Sequence, residues 1–224
     1  MLKQTDIYYG WLIVAALFLS TSLVIGTRQG FGIFIDLWST EWRTNVSSIS
    51  LAASIGWLVN GLAAPILGNL ADKYGPRRVL MFSSILVSIS SILVATSFNV
   101  LTLSIYYGFL ISFSSATGGP VGILLSKWFA KRRGVAMGAV MAGGSIGSLF
   151  FIPLLTFITL NLSWQVAWII IGSFGLIIVV PLFFFVLKND PVSYKHLRAH
   201  QTDSYLLFRL MLEKKRGGGG GGGG

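Results

Sequence analysis

Arg28 is the one formally charged residue within six long apolar stretches of this chain, and charge in such a setting points to chemistry. Inserting an arginine into hydrocarbon costs about 2.5–3.5 kcal/mol on insertion scales, so an intramembrane guanidinium marks a functional position. Its planar fork matches a carboxylate bidentately, which suits a small organic anion. Gly26 and Gly30 flank it and favour close helix packing over an arginine that snorkels to the headgroups. Gln29, Asn60, Ser115 and Thr117 are the polar residues that could share the site, although each could equally bridge helices. A second pattern, Gly143-Gly144-Ser145-Ile146-Gly147, fits the G-x-S-x-G of a nucleophilic serine. That motif requires a strand-to-helix turn and a base, and here it falls inside an apolar helical stretch. Both histidines, His196 and His200, lie in the polar end of the chain, so Ser145 has no activator and no enzymatic activity is expected. Cysteine is absent, which excludes disulfides and thiolate metal sites, and no cofactor is expected.

The elements that must position these residues are membrane helices. Only 11% of the 224 residues are charged and 54% are hydrophobic, with a mean hydropathy of +0.75. A soluble domain carries about a quarter charged residues. Apolar runs of bilayer-spanning length recur, and breakers divide them into six spans, at 10–35, 48–70, 79–98, 101–126, 134–160 and 164–187. The first is too long for a signal-peptide core and is retained as a helix. Short loops make neighbouring spans antiparallel. Lysine and arginine then collect on one side: Lys3, then Lys73, Arg77 and Arg78, then Lys127, Lys131, Arg132 and Arg133, and Lys188. The other side carries Arg43 alone, so the N-terminus and the basic connectors are expected in the cytoplasm, in an inner (cytoplasmic) membrane. The net charge of +10 is thus topological, and nucleic acid is not an expected partner. Glycine pairs at four-residue spacing, Gly134 with Gly138 and Gly143 with Gly147, read as close helix contacts, and Gly118-Gly119-Pro120 should kink or break the fourth span.

One connector remains to be explained. Gly68-Asn69-Leu70-Ala71-Asp72-Lys73-Tyr74-Gly75-Pro76-Arg77-Arg78 is charged between two apolar runs. Gly68 and Gly75 read as turn residues, and the arginines follow from topology. Topology gives no reason for Asp72, whose carboxylate is suited to a breakable ion pair or to a helix N-terminus. The stretch resembles the helix 2–3 loop motif of the major facilitator superfamily, in which the loop aspartate locks the cytoplasmic gate against the other half of the transporter. The stretch from Trp128 through Lys131, Arg132, Arg133, Gly134 and Gly138 to Gly143 is similar to the helix-five entry of monocarboxylate-transporter-like carriers. Tyr9-Gly10-Trp11 resembles the start of their helix one, without the acidic residue that some members have just before it. The fourth span lacks the arginine of many proton-coupled sugar and drug carriers, and the fifth lacks the Gly-Pro pair of antiporters, with Pro153 coming later.

The resemblance covers residues 8 to about 191 and implies an all-α integral membrane fold: the six-helix N-terminal half of a major facilitator carrier, built from two inverted three-helix repeats. The implied function is secondary transport of a small monocarboxylate-like anion by alternating access, with a coupled proton as possible partner, the lipid bilayer as surroundings and a C-terminal six-helix half still to be supplied. A sugar or drug carrier is the alternative, ahead of a channel or scaffold fragment, for which rings of charge and filter loops are wanting. Residues 192–224 change character: they are polar, basic and aperiodic, and end in eight consecutive glycines from Gly217. They resemble a translated sequencing adapter and are expected to be a non-native tail rather than a lipid-binding one.

Overall fold

A computed structural model of the chain describes residues 4–129 and 131–188. Among these residues six helices are long and apolar enough to cross a membrane: α1 (Tyr9–Glu41), α2 (Val46–Tyr74), α3 (Pro76–Val94), α4 (Val100–Trp128), α5 (Arg133–Asn161) and α6 (Trp164–Val186). No strand occurs among the described residues. Lys3, Ala130 and the tail expected at 192–224, with His196 and His200, lie outside them.

The ends follow local chemistry more than charge. The charged connector is mostly helix, because charge alone does not stop a helix. Asp72 and Lys73 occupy the last turn of α2, and Gly68 lies within the helix rather than at a turn. A single residue, Gly75, separates α2 from α3, at φ 91° and ψ 141°, a conformation that glycine adopts without Cβ strain. Pro76 then starts α3, where its missing N–H is no loss. Helix α3 ends at Val94, short of the Phe98 expected, and an Asn99–Thr102 capping box opens α4. Helix α1 runs past Ile35 to Glu41, so Asp36 and Glu41 also belong to it.

Packing pairs the helices as α1 with α5, α2 with α4 and α3 with α6. Replacing each helix by the one three places away turns the first pair into the second and leaves the third unchanged. An odd number of spans per unit inverts the second unit in the membrane, so the pairing is that of two inverted three-helix repeats. Small residues sit at the crossings. A Cβ on Gly147 would stand 2.5 Å from the Ser22 Cα of α1, and Ser22 Oγ donates to the Gly143 carbonyl at 2.7 Å. At the other crossings, a Cβ on Gly56 would meet Ser112 Oγ at 2.6 Å and one on Gly172 the Ser88 carbonyl at 2.6 Å. Gly26 and Gly30 likewise face Phe151 and Leu155 of α5 at 2.9 Å. Gly134 and Gly138 differ from expectation: nothing lies within 4 Å of a Cβ there, so they are open rather than packed.

Each end of the bundle has its own aromatic tie. On the basic face, Tyr9 Oη donates to the Val186 carbonyl at 2.8 Å and Trp128 Nε1 to that of Lys188 at 3.1 Å. Tyr9 packs on Trp128 at 5.4 Å and Trp11 edge-on against Phe129 at 5.6 Å. On the opposite face, Trp38, Trp42, Trp164 and Trp168 cluster, and Trp164 Nε1 donates to Glu41 Oε2 at 2.5 Å.

Candidate anion site at the middle of the bundle

The site begins with a break in α4. A wide, π-helical turn over Ser104–Ile111 is followed by three residues of helix, and then the ladder opens at 115–117 before resuming at Gly118. Pro120 has no N–H to bond the Ala116 carbonyl four residues back, and it lies in the first turn of the resumed helix, where that absence is tolerated. The break thus comes just ahead of the Gly-Gly-Pro run. It frees the Ser112 carbonyl to accept from Asn60 Nδ2 at 2.9 Å and from Ser115 Oγ at 3.1 Å.

Ser115 gathers the cluster. Its hydroxyl accepts from Asn60 Nδ2 at 3.1 Å and from Arg28 Nη1 at 3.2 Å while donating to Ser112, which uses both lone pairs and its proton. The guanidinium carbon of Arg28 lies 4.2 Å from the ring centroid of Trp57, a cation–π contact. Tyr107 Oη donates to the Arg28 carbonyl at 3.3 Å and its ring stacks on Phe31 at 4.3 Å. Arg28 Nε is buried with no hydrogen-bond partner among the described residues. A buried donor left unmade is costly, and here it belongs to the one cation of the cluster.

Depth in the membrane follows from position along the helices. Asn60 is the midpoint of α2, and Ser115 lies one residue from the midpoint of α4. Arg28 is three residues past the centre of α1, about 5 Å at 1.5 Å per residue. The extension of α1 to Glu41 brings it this close to the middle. Three helices therefore offer their polar side chains at one level, near the midplane.

Of the residues singled out in the sequence, Arg28, Asn60 and Ser115 come together. Gln29 is exposed and makes no hydrogen bond among the described residues, and the Thr117 side chain makes none either, although its backbone takes part in the break. Trp57 and Tyr107 were not foreseen. An aromatic residue in an apolar run looks like core or lipid contact, and the available signal was the placement of Trp57 one turn before Asn60. Among the basic-face motifs, Asp72 is exposed and has no hydrogen bond or ion pair among the described residues. Lys73 lies over the Tyr74 ring at 5.3 Å, and Arg78 is exposed. Arg77 Nη2 donates to the Phe184 carbonyl at 2.8 Å and so ties α3 to the end of α6. Lys131, Arg132 and Arg133 are exposed at the start of α5, Gly143 is buried against α1, and Ser145 is exposed in mid-helix. No group of three or more His, Cys, Asp or Glu gathers among the described residues.

Comparison with known proteins agrees with this architecture. The family model of the Major Facilitator Superfamily matches residues 17–215. Monocarboxylate transporter 13 of Rattus norvegicus is 34% identical over 174 residues, which is 76% of this chain and 40% of that protein. The uncharacterized MFS-type transporter YcxA of Bacillus subtilis (strain 168) is 25% identical over 183 residues, covering 81% of this chain and 45% of the relative. Among solved structures, a bacterial homolog of the human lysosomal transporter Spinster, inward-facing and unoccupied, superposes with a TM-score of 0.71 at 16% identity, over 85% of this chain and 45% of that one. The chain thus spans less than half the length of these relatives. With six membrane-length helices in inverted repeats and a family match over most of its length, the chain belongs to the Major Facilitator Superfamily and has monocarboxylate transporters among its relatives.

Proposed function

We propose that this chain is the N-terminal half of a secondary carrier that moves a small, monocarboxylate-like organic anion by alternating access. The observation that carries this reading is Arg28: a mid-span cation fixed on one side by Ser115 and Trp57, with no ion pair among the described residues. A carboxylate supplies the acceptor and the countercharge together. A midplane site beside a broken helix is also where carriers with inverted repeats bind their substrates. One named relative, from Rattus norvegicus, is a monocarboxylate transporter, and it supports the substrate class.

The remaining parts of the reading rest on charge and position. The basic face lies in the cytoplasm with the N-terminus, in the inner membrane. A second six-helix half completes the cavity, and exposed Asp72 pairs with it to close the cytoplasmic gate. A proton accompanies the anion and offsets its charge. The family match runs to residue 215, into the stretch at 192–224 that is read here as non-native, and sequencing of the source locus tests that reading.

The test is substitution of Arg28 in the intact carrier, with uptake measured at matched membrane abundance. Arg28→Lys keeps the charge but loses the planar fork, so anion uptake falls despite the conservative change. Arg28→Gln removes the charge that compensates substrate desolvation and lowers uptake further. Equal uptake by wild type and Arg28→Lys would withdraw the organic anion as substrate.

A further inference from the structure

The indole of Trp57 has two different faces. The Arg28 guanidinium lies over the ring at 4.2 Å, while the side chain as a whole is 67% exposed. Exposure of an apolar side chain in a membrane helix ordinarily means contact with lipid. Two observations argue otherwise. Hydrocarbon against this indole would stand one ring's thickness from a guanidinium, which is costly. Asn60, one turn on along the same side of α2, directs its amide into the polar cluster at Ser112 and Ser115. Gly61, four residues after Trp57, leaves open space one turn on along the same face of α2, since a Cβ there would meet nothing within 4 Å.

Arg28 Nη1 is engaged by Ser115 and Nε is buried, so the edge left for a carboxylate is the one at Nη2, which makes no hydrogen bond among the described residues. An anion received on that edge lies beside the indole, and whatever body it carries meets the exposed surface of Trp57. We infer that Trp57 is a specificity-determining residue which selects carboxylates bearing a flat, unsaturated or aromatic body over short aliphatic ones. The inference rests on the reading of Arg28 as the anion-binding residue. Arg28 then supplies affinity for the carboxylate in general, and Trp57 supplies discrimination by offset stacking.

The experiment compares three carboxylates, acetate, cyclohexanecarboxylate and benzoate, as labelled substrates of the intact carrier in proteoliposomes. Cyclohexanecarboxylate matches benzoate in apolar bulk but is not flat. The wild type prefers benzoate to cyclohexanecarboxylate by about two- to twelvefold, the equilibrium equivalent of one aromatic pair. Trp57→Phe retains the preference, whereas Trp57→Leu abolishes it by lowering benzoate uptake more than that of cyclohexanecarboxylate or acetate. Two results would overturn the inference: a preference that survives Trp57→Leu, or a Trp57→Leu loss equal for all three probes. Arg28→Gln separates the two readings. If it abolishes uptake of all three acids while Trp57→Leu leaves the preference intact, only the role of Trp57 falls. If Arg28→Gln leaves acetate uptake unchanged, the anion site itself is wrong and the inference falls with it.

Discussion

Replacing Gly147 by alanine should destabilise the bundle, whereas the same change at Gly138, nine residues earlier on the same helix, should not. Both glycines belong to pairs at four-residue spacing and look alike in the sequence. In the structure, a Cβ at 147 would stand 2.5 Å from the Ser22 Cα and closer still to its carbonyl, which is backbone and cannot swing away. Relief requires α1 and α5 to separate, which also stretches the 2.7 Å bond from Ser22 Oγ to the Gly143 carbonyl. Overpacking costs about 1–3 kcal/mol and the interhelical bond about 0.6 kcal/mol, against a gain of about 1 kcal/mol for alanine over glycine in a helix. Gly147→Ala is therefore destabilising by about 0.5–2.5 kcal/mol on these figures. At Gly138 the added methyl meets nothing within 4 Å, so only the helix preference remains and the variant gains up to about 1 kcal/mol. Equilibrium unfolding in mixed SDS–detergent micelles, followed by far-ultraviolet circular dichroism, reads the two midpoints directly. Equal midpoints, or a larger loss at 138 than at 147, would refute the assignment of close approach to the α1–α5 crossing.

Ser115→Ala removes the acceptor shared by Arg28 and Asn60, and one lost membrane hydrogen bond of about 0.6–1.7 kcal/mol should weaken anion binding roughly three- to eighteenfold. Unchanged affinity in a binding titration of the intact carrier bearing Ser115→Ala alone would leave Ser115 as a seal for the helix break and nothing more. Asp72→Asn should lower uptake roughly tenfold or more through loss of charge-assisted contacts, with abundance and topology unchanged. Undiminished transport at equal abundance would make Asp72 an ordinary helix-end residue. Independent sequencing of the source locus should replace residues 192–224 by a loop that leads into a seventh span, and recovery of the same codons from a clonal isolate would contradict this.

The spans were legible because apolar length is a direct demand of the bilayer, and both the paired architecture and the family were within reach of the sequence. Arg28, Asn60 and Ser115 were recognisable by polarity alone in an apolar setting. Trp57 was not, since an indole among Leu, Val and Ile carries no periodic mark, and only the fold brings it over a guanidinium from another helix. Gln29 stands apart from the cluster for the complementary reason: a polar neighbour in sequence points about 100° away around a helix, and this one turns outward. The length of α1 was underestimated because Asp36 and Glu41 look like the start of a loop. Once a helix reaches the headgroups, charge no longer opposes it. The charged connector reduces to Gly75 for the same reason, as only a positive φ ended that helix. Gly134 and Gly138 could not be told from Gly143 and Gly147 without knowing which face of α5 meets α1.

The interruption of α4 divides one rod into two levers. The segment Gly118–Trp128 is 11 residues long, about 16 Å of helix from fulcrum to tip at 1.5 Å per residue. A tilt of about 15° at residues 115–117 carries Trp128 sideways by about 4 Å, through torsions where the backbone ladder is already open. That displacement exceeds the whole length of the 3.1 Å bond from Trp128 to the Lys188 carbonyl, so the lever cannot swing without unlatching Trp128 from the end of α6 and from Tyr9. The opposite segment has no need to follow. The fulcrum residue Ser115 is also the one that grips Arg28, so the same hydroxyl stands at the pivot and at the charge. A bundle built in this way can transmit a change at its centre to its basic face mechanically, over half its length, while the aromatic tie at the opposite end stays shut.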